Sequence, residues 1–395
     1  VVAREKFVEK EKPSTKRRVA EEARAFLAGE PIPEAEKVKK EIKRPRTIFM
    51  TKTGVGLASF GLSGQVFHGP LIKVNPSFKI RTILERSRNI SEKHFPDARI
   101  VRTFKELTED NNIDLIIVNT PDPYHYEMTL EALLAGKSVI VEKPFVQDSR
   151  KGRELIDLAN KKGLLLSVFQ NRRWDGDFLT IQKIIEEERL GRLVEYEAHF
   201  DRFRNHIQEN SWKETPGSGS ILYNLGSHLI DQTMVLFGKP DNVFADIRSM
   251  RTDSSVDDAF TILMAYTGVK VTLKASYLVK EAGPRFYLHG THGSYLKHGI
   301  DPQEDALKAG ELPGGEDWGK EKESEWGQMN TEVRGNPFNE KYETIPGRYT
   351  AYYEDIARAL KEGTPPLVTA EQANLVIRVI EAAKESNKTG KRIPV

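Results

Sequence analysis

The sequence predicts an α/β protein in two parts. An N-terminal doubly wound parallel sheet is followed by a C-terminal α+β domain built on a large, mostly antiparallel open sheet. Three observations carry this. Short β-branched runs alternate with helix-period segments from Thr53 to Val168, as repeated βα units do. Beyond residue 170 the texture changes to long segments alternating apolar and polar residues. The chain has 395 residues, more than one average domain holds. The boundaries follow: a charged extension over 1–49, the parallel-sheet domain over 50–169, and the α+β domain over 170–395, whose last helices can pack back on the first domain.

Residues 1–49 carry 14 Lys/Arg against 9 Glu, a net of +5 in a chain whose overall charge is +2. Ser14 or Thr15 can cap a short helix with Val19, Ala23, Phe26 and Leu27 on one face and Gly29 at its end. A solvated extension or an arm docking on a partner both fit so charged a segment. Met50 stands directly before the first core strand, so the extension can also be an upstream translation.

The elements then follow in order. Val55–Ala58 reads as a first strand, a glycine turn and a helix through Val66 and Phe67 follow, and Ile80–Leu84 reads as a second strand. Leu115–Val118 is a buried strand, helices are expected at 124–135 and 149–162, closed by Gly136 and Gly163, and Leu164–Val168 is another strand. In the second part, Val269, Val271, Leu273, Ala275 and Tyr277 interleave with Lys270, Thr272, Lys274 and Ser276. Thr267-Gly268 turns that strand back on 260–266, and Val194, Tyr196, Ala198 and Phe200 alternate in the same way. Helices close the chain at about 349–361 and 369–386.

Composition narrows the function. Charge is nearly balanced, which gives no nucleic-acid footprint. No apolar run approaches the roughly 18 residues of a membrane span. The chain has no cysteine, hence no disulfide framework and no thiolate chemistry, which suits a cytoplasmic protein. There is no His-x-x-x-His, acidic cluster or cysteine pair, so no metal site is expected.

Chemistry gathers where strands end. The turn Ser59-Phe60-Gly61-Leu62-Ser63-Gly64 occupies the dinucleotide fingerprint position, with serine for the first glycine. Gly61 would let backbone approach a pyrophosphate, and Gly64 would allow close helix packing. Glu85, at the end of the second strand, can bond ribose hydroxyls and favour NAD, whereas Arg86 and Ser87 can instead take a 2′-phosphate and favour NADP. Asn119-Thr120-Pro121, with His125 behind, is either an ordinary Pro-containing loop or a floor beneath ribose and nicotinamide.

The run Ser138-Val139-Ile140-Val141-Glu142-Lys143-Pro144 delivers a lysine at a strand end, stopped by a proline that cannot extend the ladder. A cation there can hold a substrate hydroxyl and lower its pKa. Gly226-Ser227-His228 supplies a histidine, the natural acceptor for the proton of an alcohol losing hydride. Asn224 stands four residues before it and would share its helix face. Asn171-Arg172-Arg173-Trp174-Asp175, with Asp201, Arg202 and Arg204, adds a polar cluster. Lys143 paired with Glu142 at the surface, and His228 as a satisfied core residue, are the structural alternatives.

These blocks together resemble the Gfo/Idh/MocA oxidoreductases over roughly residues 51–390. Leu288-His289-Gly290-Thr291-His292-Gly293-Ser294-Tyr295 and Asp301-Pro302-Gln303-Glu304 are similar to the scyllo-inositol dehydrogenase branch. The resemblance implies a Rossmann domain binding NAD or NADP, and hydride transfer to or from a hydroxyl of a cyclitol or sugar. It also implies homodimers or homotetramers built on the C-terminal sheet. It implies cofactor contacts from Phe60, Gly61, Leu62, Ser63, Gly64, Glu85, Arg86, Ser87, Asn119, Thr120, Pro121, His125, Glu142, Lys143, Asn171 and Arg172. The polyol would then meet Lys143, Arg172, Trp174, Asp201, Arg202, Asn224 and His228, with Lys143, His228 and Asn224 catalytic. Many members have aspartate where this chain has Asn224, and an amide cannot take a proton. Two other readings use the same scaffold: a cofactor-retaining glycosidase, and a dinucleotide-binding sensor without turnover.

Overall fold

A computed structural model describes residues 52–208, 211, 214–215, 220–333 and 335–395. The expected helix in the charged extension lies outside these residues. The first part is a parallel sheet of strands β1 (Thr53–Leu57), β2 (Phe78–Leu84), β3 (Arg99–Val101), β4 (Leu115–Val118), β5 (Ser138–Val141) and β6 (Leu166–Val168). Their spatial order is β3-β2-β1-β4-β5-β6, the dinucleotide-binding arrangement. Every residue of β4 and β5 is buried, because helices cover both faces of a parallel sheet.

After β1 the chain makes a π-helical turn, Gly64–His68, that runs on into α1 (Gly69–Val74). Two further helices, α2 (Phe104–Thr108) and α3 (His125–Leu134), precede α4 (Ser149–Lys162). Asp148 caps α4 by accepting the Arg150 amide at 2.9 Å, and Gly163 ends it at φ +64°, a conformation that costs glycine little.

The second part opens with α5 (Gly176–Glu186) and β7 (Leu193–His199), then a π-helical turn at Leu222–Gly226 leading into α6 (Ser227–Phe237). Strands β8 (Asn242–Arg248), β9 (Ala259–Tyr266), β10 (Val269–Ser276), β11 (Phe286–Gly290) and β12 (Gly293–Lys297) follow. Next come α7 (Gln303–Lys308), β13 (Gly327–Val333), β14 (Asn336–Tyr342), α8 (Thr350–Glu362), α9 (Ala370–Thr389) and the short β15 (Ile393–Pro394). Among the described residues the second sheet runs β14-β13-β12-β11-β7-β10-β9-β8-β15. All neighbours are antiparallel except β7 and β10, which the β8–β9 excursion brings together in parallel. Gly268, at φ +84°, makes the tight β9–β10 turn.

The last helices fold back. Tyr349, Tyr352, Tyr353 and Ile356 join Leu57, Phe78 and Phe169 in one apolar cluster against the first sheet. Each such buried side chain contributes about 1.5–3 kcal/mol. Ser167 on β6 donates to the Val368 carbonyl at 2.8 Å, tying strand to C-terminal chain. No helix among the described residues is long and apolar enough to cross a membrane.

Candidate active site

The C-terminal ends of β1, β4, β5 and β6 open on one edge, where a parallel sheet binds ligands. A cavity of about 370 Å³ lies there, between the first sheet and the α6 region. From β1 it takes Ser59, Gly61, Leu62 and Ser63; from β4, Asn119, Thr120 and Pro121; from β5, Glu142 and Lys143; from β6, Asn171 and Arg172. The second part supplies Arg202, Tyr223, Asn224, His228 and Glu304.

The glycine turn and the β4 loop are bolted together. The Asn119 amide accepts the Ser59 N–H at 2.9 Å and donates to the Ser59 carbonyl at 3.0 Å, while the Ser59 hydroxyl donates to the Asn119 carbonyl at 2.8 Å. Serine in place of the first glycine thus has a structural use. A Cβ at Gly64 would meet the Ser59 carbonyl at 2.8 Å and the Asn119 amide nitrogen at 3.1 Å. A Cβ at Gly61 would meet nothing within 4 Å. Open space at one glycine and close packing at the other fit a pyrophosphate seated on this turn.

His125 lies with its ring nitrogens 2.8 Å from the Pro144 carbonyl and 2.9 Å from the Thr120 carbonyl, so it joins the β4 and β5 loops. Glu142 accepts from Ser63 and from His68 at 3.1 Å, and His68 in turn contacts the Tyr353 hydroxyl at 2.6 Å. Burial pushes the Glu142 carboxyl up, but the hydrogen bonds from His68 and Ser63, with the charges of His68 and Lys143, outweigh it and hold it at about 2. The carboxylate is therefore a fixed anion that anchors the turn holding Lys143.

Lys143 reaches across to the second part. Its ammonium donates to the Asn224 carbonyl at 2.8 Å and to the Asn224 side-chain oxygen at 3.0 Å. His228 begins the next helical turn and lines the same cavity. Its Nδ1 is enclosed without a hydrogen-bond partner among the described residues. Burial, then the charges of Lys143, Arg172, Arg285 and Arg202, press its pKa well below 6.5, so the ring is neutral near pH 7. Lys143, Asn224 and His228, which are 81 and 85 positions apart from end to end, are thus brought to one place by the packing of two sheets.

Arg172 is buried, bonds Asp175 at 3.2 Å and pairs with Glu304, which also takes Lys308 at 2.8 Å. Burial opposes ionisation of Glu304, yet Arg172 and Lys308 hold its carboxyl down at about 2.

Other expected contacts lie away from the cavity wall. The Phe60 ring is buried against His94 and Phe95. Gly64 packs behind the turn. Trp174 packs against Tyr352, with ring centres 5.8 Å apart. Asp201 contacts His199 at 3.2 Å and accepts the Ser276 amide at 3.2 Å. Glu85 turns its carboxylate into its own loop, accepting the Ile90 and Ser91 amides at 2.9 and 2.8 Å and the Ser91 hydroxyl. Arg86 and Ser87 beside it are exposed.

Sequence reasoning passed over His68, Tyr223 and Phe169. A lone histidine before a glycine gives no signal until Glu142 and Tyr353 are seen around it. Glu304 stood in a block read only as a mark of resemblance, although an acid at a helix start is a polar group with a fixed direction.

Comparison with known proteins shows the family to which the two parts belong. Residues 53–170 match the oxidoreductase family NAD-binding Rossmann fold, and residues 182–395 its C-terminal alpha/beta domain. The chain is 42% identical over 343 residues to the scyllo-inositol 2-dehydrogenase (NADP(+)) IolW of Bacillus subtilis, covering 86% of this chain and 95% of that one. It is 39% identical to the oxidoreductase YdgJ of Escherichia coli, over 85% of this chain and 96% of that one. A crystal structure of an oxidoreductase from Bacteroides fragilis superposes with a TM-score of 0.82 at 52% identity, covering 87% of this chain and all of the other. With both domains matched over most of its length, the chain belongs to the Gfo/Idh/MocA family of NAD(P)-dependent oxidoreductases.

Proposed function

We propose that the protein interconverts a secondary hydroxyl and its ketone on a cyclitol or sugar, with NADP as the preferred partner. The observation that carries this is the meeting of Lys143, Asn224 and His228 in the cavity that begins at the glycine turn. The glycine turn and the Asn119-Thr120-Pro121 loop would hold a nicotinamide dinucleotide, which when bound would supply the hydride acceptor or donor.

Lys143 holds the reacting oxygen, and its charge stabilises the alkoxide character that develops as the C–H bond breaks. His228, neutral near pH 7, receives the hydroxyl proton and returns it in the reverse direction. Asn224 keeps the ammonium in place through two oxygens and leaves its own N–H₂ to orient the substrate. The balance is one C–H and one O–H bond broken, one C=O bond completed, a hydride transferred and a proton released. The NADP preference is supported by the engaged carboxylate of Glu85, the exposed Arg86 and Ser87 beside it, and the NADP(+) in the name of the 42% identical relative.

The test is absorbance of the reduced nicotinamide with NAD⁺ and NADP⁺ separately, across inositol isomers and common aldoses. Turnover of one or more with NADP⁺ is expected, and Lys143→Ala should lower it on the order of 10²–10³-fold while dinucleotide binding survives. Near-normal turnover in that variant would remove the mechanism.

We also propose that the chain self-associates through the outer face of the second sheet, as a homodimer or homotetramer. One row across that face reads Phe244, Leu263, Thr272, Glu197, Tyr287 and Leu296. Apolar and aromatic side chains on a half-exposed sheet face favour burial against a second copy.

A further inference from the structure

Three guanidinium groups surround the Phe200 ring: Arg285 at 4.4 Å, Arg172 at 5.0 Å and Arg202 at 5.3 Å from its centre. Two of them have work within the protein. Arg172 is matched by Asp175 and Glu304, and Arg285 donates to the His199 carbonyl and to Gln232. Arg202 lines the cavity, yet among the described residues its guanidinium makes no hydrogen bond and no ion pair. Glu304, the acid that acts on it, is already engaged by Arg172 and Lys308. Burial and the like charges of Arg204 and Arg172 press its pKa down, the mark of a cation held where a counter-charge is missing.

A crowded, partly desolvated cation costs free energy unless an anion meets it. Arginine's planar fork matches a carboxylate in two parallel hydrogen bonds, and the Phe200 ring, its centre 5.3 Å away, lies beside that fork. We propose that Arg202 receives a carboxylate carried by the substrate, so that the substrate is a polyhydroxy acid, such as an aldonate, a uronate or a carboxylated cyclitol. This rests on the hydride-transfer reading of the same cavity. The carboxylate keeps its charge throughout and takes no part in the bond changes at the hydroxyl-bearing carbon.

The experiment compares kcat/KM for matched neutral and acidic polyols, glucose against glucuronate and gluconate, with sugar phosphates as a separate arm. Wild type, Arg202→Met and Arg202→Lys are assayed with NADP⁺ at low and high salt. The acids are expected to lead by on the order of 10- to 100-fold in wild type. That ratio should fall toward one in Arg202→Met, survive in part in Arg202→Lys, and shrink with salt. Turnover of neutral polyols without an acid preference overturns this assignment and leaves hydride transfer standing. A preference for phosphates over carboxylates overturns it too. So does an Arg202→Met variant that loses dinucleotide affinity but keeps the acid-to-neutral ratio, because Arg202 would then serve the cofactor. If no polyol of either kind is turned over, the hydride reading fails. Calorimetric titration of the NADPH-loaded protein with glucuronate and glucose then decides, equal affinities for the two being the result that sinks the carboxylate site.

Discussion

At the scale of single residues the site depends on charges that are fixed and charges that are refused. Glu142 is held ionised by His68 and Ser63, whereas His228 is kept neutral by burial and four cations. The His228 shift has a definite sign. Its ring takes a proton only below the ordinary 6.5, so the acid limb of kcat for alcohol oxidation should lie below 6.5 and vanish in His228→Asn. A pH–rate profile checks this, and a wild-type limb at 7 or above would count against His228 as the proton acceptor. The same shift links to stability. An unfolded His228 protonates near 6.5 while the folded one does not, so its contribution is intact above that pH and lost as pH falls through the depressed folded value. Glu142 adds to the loss only at lower pH, between 4.5 and about 2, because its folded value is also depressed.

At the scale of an element, the glycine turn separates two demands that one motif places on it. Gly61→Ala adds a methyl group to open space, so the melting temperature of the empty protein should hold while dinucleotide affinity falls. Gly64→Ala instead presses on the Ser59 carbonyl and the Asn119 amide, and should cost roughly 1–3 kcal/mol of stability as well as affinity. Thermal melts and a dinucleotide titration on both variants make the comparison. Equal melting losses in the two would mean that the turn is packed differently from this description. The π-helical turns at Gly64–His68 and Leu222–Gly226 make a related point about direction. Each lies where a helix starts at the cavity, and the second carries Asn224 toward Lys143.

At the scale of the whole molecule, the cavity exists only because the second part docks on the first. Tyr353 on α8 reaches His68 beside the glycine turn, and Leu307 on α7 enters the same cluster as β1 and β2. Self-association would occur on the opposite side, along the outer sheet row. Leu263→Glu places a charge between Phe244 and Thr272 of that row and should shift the protein to monomer. Light scattering behind size exclusion reads the outcome, and an unchanged mass would move the interface elsewhere.

The sequence alone determined the fold class and the type of those elements whose local pattern is strong, because local rules govern them, while short or irregular ones such as β3 and α7 left no such mark. β-branched runs bounded by turns marked β4 and β5, a period of two marked β10, and Gly163 and Gly268 marked the ends of an element. It also singled out Lys143 and His228, because a strand-end lysine before proline and a histidine at a helix start are chemically conspicuous. What only the tertiary structure decided is which atoms meet. Asn224 proved to hold Lys143, Glu85 to bond its own loop, Trp174 to pack on Tyr352, and His68 to brace Glu142. Hydrogen bonds of this kind depend on Ångström-scale separations between residues up to 285 positions apart, which no local pattern records. Secondary structure follows from spacing along the chain, whereas charge, pKa and reach follow from how the two sheets pack.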